Sequence, residues 1–236
     1  VVNRPHPKSN VILYCHGGGF CTGSVKYART ITSKLALATG LEVLAFDYRL
    51  APEHPYPAAL EDAVKAWNYL MLLGYGADNI LVVGDSAGGN IVLELVLKLK
   101  EEKRMLPKGL VLFSPWTDLT CSGDSFKERV GNDPVLTQEY LYRIREDYAQ
   151  GESYDSPYLS PLLADFEGFP ATYIQVGENE ILYSDAVRLY EKLCKENVVA
   201  RIDRFDKMWH VFQMSPIKAA QEAINKSAEF IFEICK

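Results

Sequence analysis

No stretch of about 18 uninterrupted apolar residues occurs in this sequence, so no membrane-spanning helix is expected. A basic excess is also missing. Lys plus Arg number 25 against 31 Asp plus Glu, a formal charge of -6. An acidic chain is a poor ligand for phosphate backbones, so no nucleic-acid partner is expected. Histidine is scarce, at four, and the five cysteines (Cys15, Cys21, Cys121, Cys194, Cys235) form no C-x-x-C pair. The usual spacings of a structural zinc site are therefore lacking, and no metal is expected. The odd number of thiols, and an N-terminus without a basic stretch followed by an apolar one, fit reduced cysteines in the cytoplasm. Neither G-x-G-x-x-G nor G-x-x-x-x-G-K-[ST] is present, so no nucleotide cradle is indicated.

What remains is an ordinary globular composition, 48% apolar and 24% charged over 236 residues. That length allows one α/β domain with a sizeable core. Near-continuous apolar runs read as strands covered on both faces. They are Val11 to His16, Glu42 to Tyr48, Asn79 to Gly84, Gly109 to Ser114 and Ala171 to Gly177, with a weaker sixth at Ala200 to Phe205. Helical patterns fall between them, over Ala28 to Ala38, Ala59 to Leu72, Gly89 to Lys100, Asp185 to Glu196 and Pro216 to Glu233. Such alternation predicts one mostly parallel sheet with helices on both faces. The connection between the fourth and fifth strands is too long for a crossover, at about fifty-six residues. Its centre, Gln138 to Ala149, reads as an aromatic helix, so an insertion covering one end of the sheet is expected.

The strongest chemical signal is Gly84-Asp85-Ser86-Ala87-Gly88, between an apolar strand and an apolar helix. This is the context of the G-x-S-x-G elbow, which exposes a serine hydroxyl at the carboxyl end of the sheet. The helix that follows offers free N–H groups and a positive dipole end to a developing oxyanion. A second signal, His16-Gly17-Gly18-Gly19-Phe20, lets backbone N–H groups approach a substrate closely, although a plain glycine turn would read the same way. Serine needs a base. His6 lies in a proline-flanked tail, His16 is better suited to shape the glycine loop, and His54 sits in a rigid Pro-Glu-His-Pro loop. Elimination and chain order favour His210, in Met208-Trp209-His210-Val211-Phe212. The acid that orients the imidazole belongs after the fifth strand, where Glu180 is the first choice, Asp185 the second and Glu178 the third. Asp185 has a competing reading as a first-turn helix acid.

With these residues the chain resembles the hormone-sensitive lipase-like branch of the α/β hydrolases, which includes the bacterial family IV esterases. The resemblance rests on HGGGF at His16 to Phe20 and GDSAGGN at Gly84 to Asn90, with support from DYRLAPE at Asp47 to Glu53, the following HPYPAA at His54 to Ala59, SPWTD at Ser114 to Asp118 and the MWHVF stretch. It implies an α/β hydrolase fold and a carboxylic ester hydrolase with Ser86, Glu180 and His210 as triad. It places oxyanion donors on the backbones of Gly18, Gly19 and Ala87. It implies no cofactor, a small-molecule ester as partner, and leaves room for a homodimer. Many relatives have Asp where Glu180 stands. Relatives also carry some tens of residues before the HGGG strand, whereas fifteen residues precede His16 here. A short or missing N-terminal cap segment, and a small cap formed by about residues 121–160, are therefore expected. Tyr140, Tyr142 and Tyr148 would give that cap aromatic cover, with activity peaking at about four to six acyl carbons. A catalytically silent binding protein of the same fold is the alternative, as in the plant gibberellin receptors, which lack the histidine. A hydrolase of amides, lactones or acetylated sugars is another.

Overall fold

The computed structural model describes residues 10–236. Six strands form one sheet in the order β2-β1-β3-β4-β5-β6, every neighbouring pair parallel. They are β1 (Val11–Cys15), β2 (Glu42–Ala45), β3 (Ile80–Asp85), β4 (Gly109–Phe113), β5 (Ala171–Gly177) and β6 (Ala200–Phe205). The helices are α1 (Val25–Thr39), α2 (Ala58–Leu72), α3 (Ala87–Glu101), α4 (Ser125–Glu128), α5 (Gln138–Ala149), α6 (Tyr183–Lys195) and α7 (Lys218–Ile234).

Side chains alternate across each strand, and this alternation divides the core in two. Ile12, Tyr14, Leu81, Val83, Val111 and Phe113 pack with Ile31 and Leu35 of α1 and with Ile224 and Ile231 of α7. Leu13, Cys15, Val82, Leu110 and Leu112 face the other way, into a larger cluster with residues of α2, α3 and α6. Both faces of the sheet are thus covered, which is why the strands read as unbroken apolar runs.

Local chemistry moves several expected boundaries. α1 starts at Val25 rather than Ala28 because the Ser24 side chain caps it, accepting from the Tyr27 amide at 3.2 Å, and it ends on left-handed Gly40. α3 begins at Ala87, directly after the serine, rather than at Gly89. β2 stops at Ala45, before the predicted Tyr48. The residues beyond it leave the sheet so that Asp47 accepts from the Val25 amide at 2.6 Å and Tyr48 stacks on His16.

The strand order also fixes where a ligand can sit. The chain moves outward from β1 to β2, then crosses back to β3 and proceeds the other way. The reversal lies between β1 and β3, and in open α/β sheets the crevice at such a switch point, beyond the carboxyl ends of the strands, is the binding site. The HGGGF loop leaves β1 there, and the serine turn leaves β3.

The long β4–β5 connection forms α4 and α5, and α5 packs onto the HGGGF loop. Tyr148 stacks flat on Phe20, ring centres 3.8 Å apart and 4° from parallel, and Tyr56 meets Tyr148 edge-on at 6.0 Å. Tyr148 is therefore fully buried core rather than cover for a substrate, whereas Tyr140 and Tyr142 stay half-exposed. Beneath it lies Glu94 of α3, also fully buried, whose Oε1 accepts from the Tyr148 hydroxyl at 3.3 Å while Oε2 has no protein partner. Burial pushes the Glu94 carboxyl up to about 8, and the Tyr148 hydrogen bond offsets only part of this. A carboxyl raised on folding adds stability that is complete below its unfolded value of about 4.3 and is lost as pH rises through the folded value. Chemical denaturation between pH 5 and 9 should therefore show wild-type stability falling up to about pH 8 and levelling off beyond it. Glu94→Gln should flatten that fall, by on the order of a few kcal/mol.

Candidate active site

Ser86 sits where β3 turns into α3, with φ 55° and ψ -122°. A non-glycine residue in this region is strained and persists only where its surroundings over-determine it. Those surroundings are small by necessity. A side chain at Gly84 would overlap the Gly88 carbonyl, and one at Gly88 would overlap the carbonyls of Cys15 and His16. The Ser86 amide is held by the Phe113 carbonyl at 2.9 Å, and its carbonyl accepts from Trp116 at 3.1 Å. Ala87 is the first residue of α3, so its N–H lacks an intrahelical partner.

The glycine loop is locked to this turn by Asp85. Its Oδ1 accepts from the Gly17 amide at 2.9 Å and from the Tyr14 hydroxyl at 2.7 Å, and the Tyr27 hydroxyl approaches Oδ2 at 3.3 Å. Gly18 and Gly19 both take positive φ, 119° and 62°. A side chain at Gly19 would strike Ile144 of α5. His16 is buried, bonded through Nδ1 to the Gly17 carbonyl at 2.8 Å and stacked on Tyr48 at 4.1 Å. Burial lowers its pKa, so it is held neutral as part of the loop.

His210 arrives on the turn after β6. Its Nε2 lies 2.9 Å from Ser86 Oγ, and its Nδ1 lies 3.1 Å from Glu180 Oε2. The other Glu180 oxygen accepts from the Gly177 amide at 2.5 Å and the Ser114 hydroxyl at 2.7 Å. The loops after β5 and β6 are laced together, with Glu178 donating to the Phe205 carbonyl and Asn179 to the Met208 carbonyl, each at 3.0 Å. A side chain at Gly177 would overlap the Met208 carbonyl, which is how the two loops come so close. Burial pulls the His210 pKa down, but the Glu180 hydrogen bond and charge, helped by Asp133 and Asp85, outweigh it and leave it raised.

Of the sequence candidates, the structure brings together Ser86, Glu180 and His210, and sets the HGGGF loop beside them. Asp185 lies elsewhere. It is buried in the first turn of α6, where its Oδ2 accepts from the amides of Thr117 and Asp118 at 2.8 and 2.9 Å. It anchors the SPWTD segment. Glu178 contributes its amide to the loop lacing, and His54 is exposed. The tail carrying His6 lies outside the described residues. Three supporting residues escaped the sequence reading. Asp85 stands within the elbow motif and Ser114 at the end of a predicted strand and the start of SPWTD, with no role evident for either in the sequence. Ser114 also accepts from the Val211 amide at 3.1 Å, so one hydroxyl bridges the acid and the histidine turn. Lys34 of α1 donates to the Gln213 and Ser215 carbonyls at 2.8 and 3.0 Å, holding that turn from the other side.

A serine, an imidazole and a carboxylate in series, beside a glycine loop and a helix N-terminus, suit acyl transfer. A family profile described as alpha/beta hydrolase fold matches residues 12–214. The chain belongs to this α/β hydrolase family. The hydrolase is 35% identical to an esterase of Acinetobacter venetianus, over 94% of this chain and 74% of that one. It is 31% identical to an ethyl acetate hydrolase of Pseudomonas putida, over 90% of this chain and 70% of that one. Among solved structures it is similar to an esterase of the bacterial hormone-sensitive lipase family, with a TM-score of 0.94 and 37% identity, over 98% of this chain and 79% of that one. It is a carboxylic ester hydrolase of this hormone-sensitive lipase-like branch.

The two buried acids of the 180–185 loop should separate cleanly. Glu180→Gln should reduce kcat by about 10⁴-fold, since the amide favours the wrong imidazole tautomer. Asp185→Asn should keep most of its activity and alter thermal stability instead. Ester turnover and melting curves on the same preparations check both.

Proposed function

We propose that Ser86, His210 and Glu180 hydrolyse small, short-acyl esters through an acyl-enzyme. The observation that carries this reading is the unbroken contact series from Ser86 Oγ through the His210 ring to Glu180. His210 Nε2 takes the hydroxyl proton as Oγ attacks the ester carbonyl carbon, and Glu180 stabilises the imidazolium that forms. The backbone amides of Gly18, Gly19 and Ala87 are our assignment for the oxyanion hole. Collapse of the tetrahedral intermediate expels the alcohol, which takes the proton from His210. Water then repeats the sequence on the acyl-serine and releases the acid. The buried imidazole in register with Ser86 favours this over a silent binding protein of the same fold.

Two expectations test the chemistry. Ser86→Ala and His210→Ala should each reduce kcat by about 10⁴-fold or more, and the double variant should be little worse than either. A single variant retaining a tenth of wild-type turnover would overturn the assignment. Because the base must be neutral to act and the His210 pKa is raised, kcat/KM should fall with decreasing pH around a midpoint above 6.5, the ordinary imidazole value.

Residues 121–160 are our choice for a small cap on a single domain, supported by the packing of α5 on the HGGGF loop. That one relative is named an ethyl acetate hydrolase supports a short acyl group for this enzyme. Each buried methylene contributes about 0.8 kcal/mol until the pocket ends. We expect kcat/KM to peak at about four to six acyl carbons across soluble esters. A preference for long chains, enhanced at a lipid interface, would identify a lipase instead. No helix among the described residues is long and apolar enough to cross a membrane. We place the enzyme in the cytoplasm, with small esters rather than nucleic acid as partners. All five cysteines are unpaired, as a reducing compartment would keep them.

A further inference from the structure

One carboxylate in the insertion is unused by the chemistry above. Asp133 lies between α4 and α5, in Gly131-Asn132-Asp133-Pro134, and is only 6% exposed. Its Oδ1 accepts from the Val135 amide at 2.9 Å and the Leu136 amide at 3.3 Å. Those two bonds make a local turn, and a local turn needs only one oxygen. The second oxygen does something else. Oδ2 accepts from the amide of Ile181 at 3.2 Å, on a loop 48 residues away. Ile181 directly follows Glu180.

The insertion holds the same residue a second time. Ser125 Oγ, also buried, donates to the Ile181 carbonyl at 2.7 Å and accepts from the Ser184 amide at 2.9 Å. Both backbone polar groups of the residue after the acid are therefore bound by insertion side chains. The acid's own carboxylate is fixed from the sheet side, by Ser114 and Gly177. Glu180 is gripped between the two.

We propose that Asp133 is a positioning residue for the ester hydrolysis assigned above. It fixes the Glu180 loop from the insertion and adds a buried negative charge that favours imidazolium at His210. Glu180 on the β5 loop touches the His210 ring, and Asp133 from the insertion and Asp85 from the elbow add their charges, so that all three act to raise its pKa. Removing one of the three therefore lowers the midpoint, whereas a turn that merely folded well would leave it in place. The proposal rests on the triad reading, and the test separates the two.

Asp133→Asn keeps an acceptor and the side-chain shape but removes the charge. Turnover of p-nitrophenyl acetate should fall about tenfold in kcat with KM nearly constant, as expected of a displaced catalytic group. The midpoint of the acid limb should move to lower pH, and the His210 ring resonances, followed by NMR through a pH titration, should move the same way. An unchanged His210 titration would overturn the proposal, even with reduced kcat. Because NMR reads the imidazole without turnover, it decides on Asp133 even if Ser86→Ala were to show that the ester-hydrolysis reading had failed. Ser125→Ala is the companion should Asp133→Asn not fold. It releases the Ile181 carbonyl and leaves the charges alone, so kcat should fall several-fold with the midpoint unmoved. Wild-type kcat in Ser125→Ala would overturn the positioning of Glu180 from the insertion.

Discussion

Asp85 joins the two turns that the sheet sets side by side at its switch point. Its buried carboxylate takes the Gly17 amide on one side and the Tyr14 hydroxyl from inside β1 on the same oxygen. Because Asp85 is the residue immediately before Ser86, any displacement of the glycine loop is transmitted to the serine, and the reverse. A buried carboxylate without such donors would be costly. With them it is a fixed strut between β1 and β3. The closeness it needs comes from residues without side chains. A side chain at Gly17 would overlap the Asp85 carboxylate, and one at Gly88 would overlap the end of β1. The strained φ of Ser86 is thus held by neighbours that cannot relax away from it.

The opposite half of the site is built on the same plan with different parts. β5 delivers Glu180 and β6 delivers His210, on adjacent parallel strands of the sheet. Adjacency brings the loops near, but a hydrogen bond of 3.1 Å between their side chains requires more. Gly177 permits the contact with Met208, and Ser114 reaches from the end of β4 to both partners. Val211, next to the histidine, takes φ 49°, which is unfavourable for a β-branched residue. Strain therefore flanks both the serine and the histidine, and Ser114 Oγ on the Val211 amide helps to hold the second of these turns as Asp85 holds the first.

Sequence reading reached this site unevenly, for physical reasons. Apolar runs follow from burial on both faces, so the strands are legible in the sequence: β5 and β6 fall on their predicted bounds, and β1 to β4 have an edge one to three residues off. The elbow was visible because Gly84, Ser86 and Gly88 are required by local backbone geometry. His210 came by elimination among four histidines. Glu180 and Asp185 could be ranked but not separated, because they are acids five residues apart, one on the loop after β5 and one in the first turn of α6, and both are buried. What distinguishes them is which partner each carboxylate finds across the fold. The same limit hid Asp85, Ser114, Lys34 and Asp133. Each acts on a segment far along the chain, and nothing in its immediate neighbours records that contact. Tyr148 shows the converse error. An aromatic at the centre of an insertion suggests a lid, yet its ring stacks inward on Phe20.

That inward turn changes what the insertion is. A cap that only covered a pocket would touch the site through its rim. Here α5 presses Ile144 against Gly19 and Tyr148 against Phe20, on the loop assigned to the oxyanion hole. The segment before α5 holds both backbone groups of Ile181, on the loop of the acid. One continuous stretch of chain therefore bears on the oxyanion side and on the acid side of the serine. The sheet supplies the strand ends and the elbow, and two of the loops that leave it are held from the sheet on one side and from the insertion on the other. Variation in the insertion among relatives would then alter rate, because its side chains bear on the loops that carry Gly19 and Glu180.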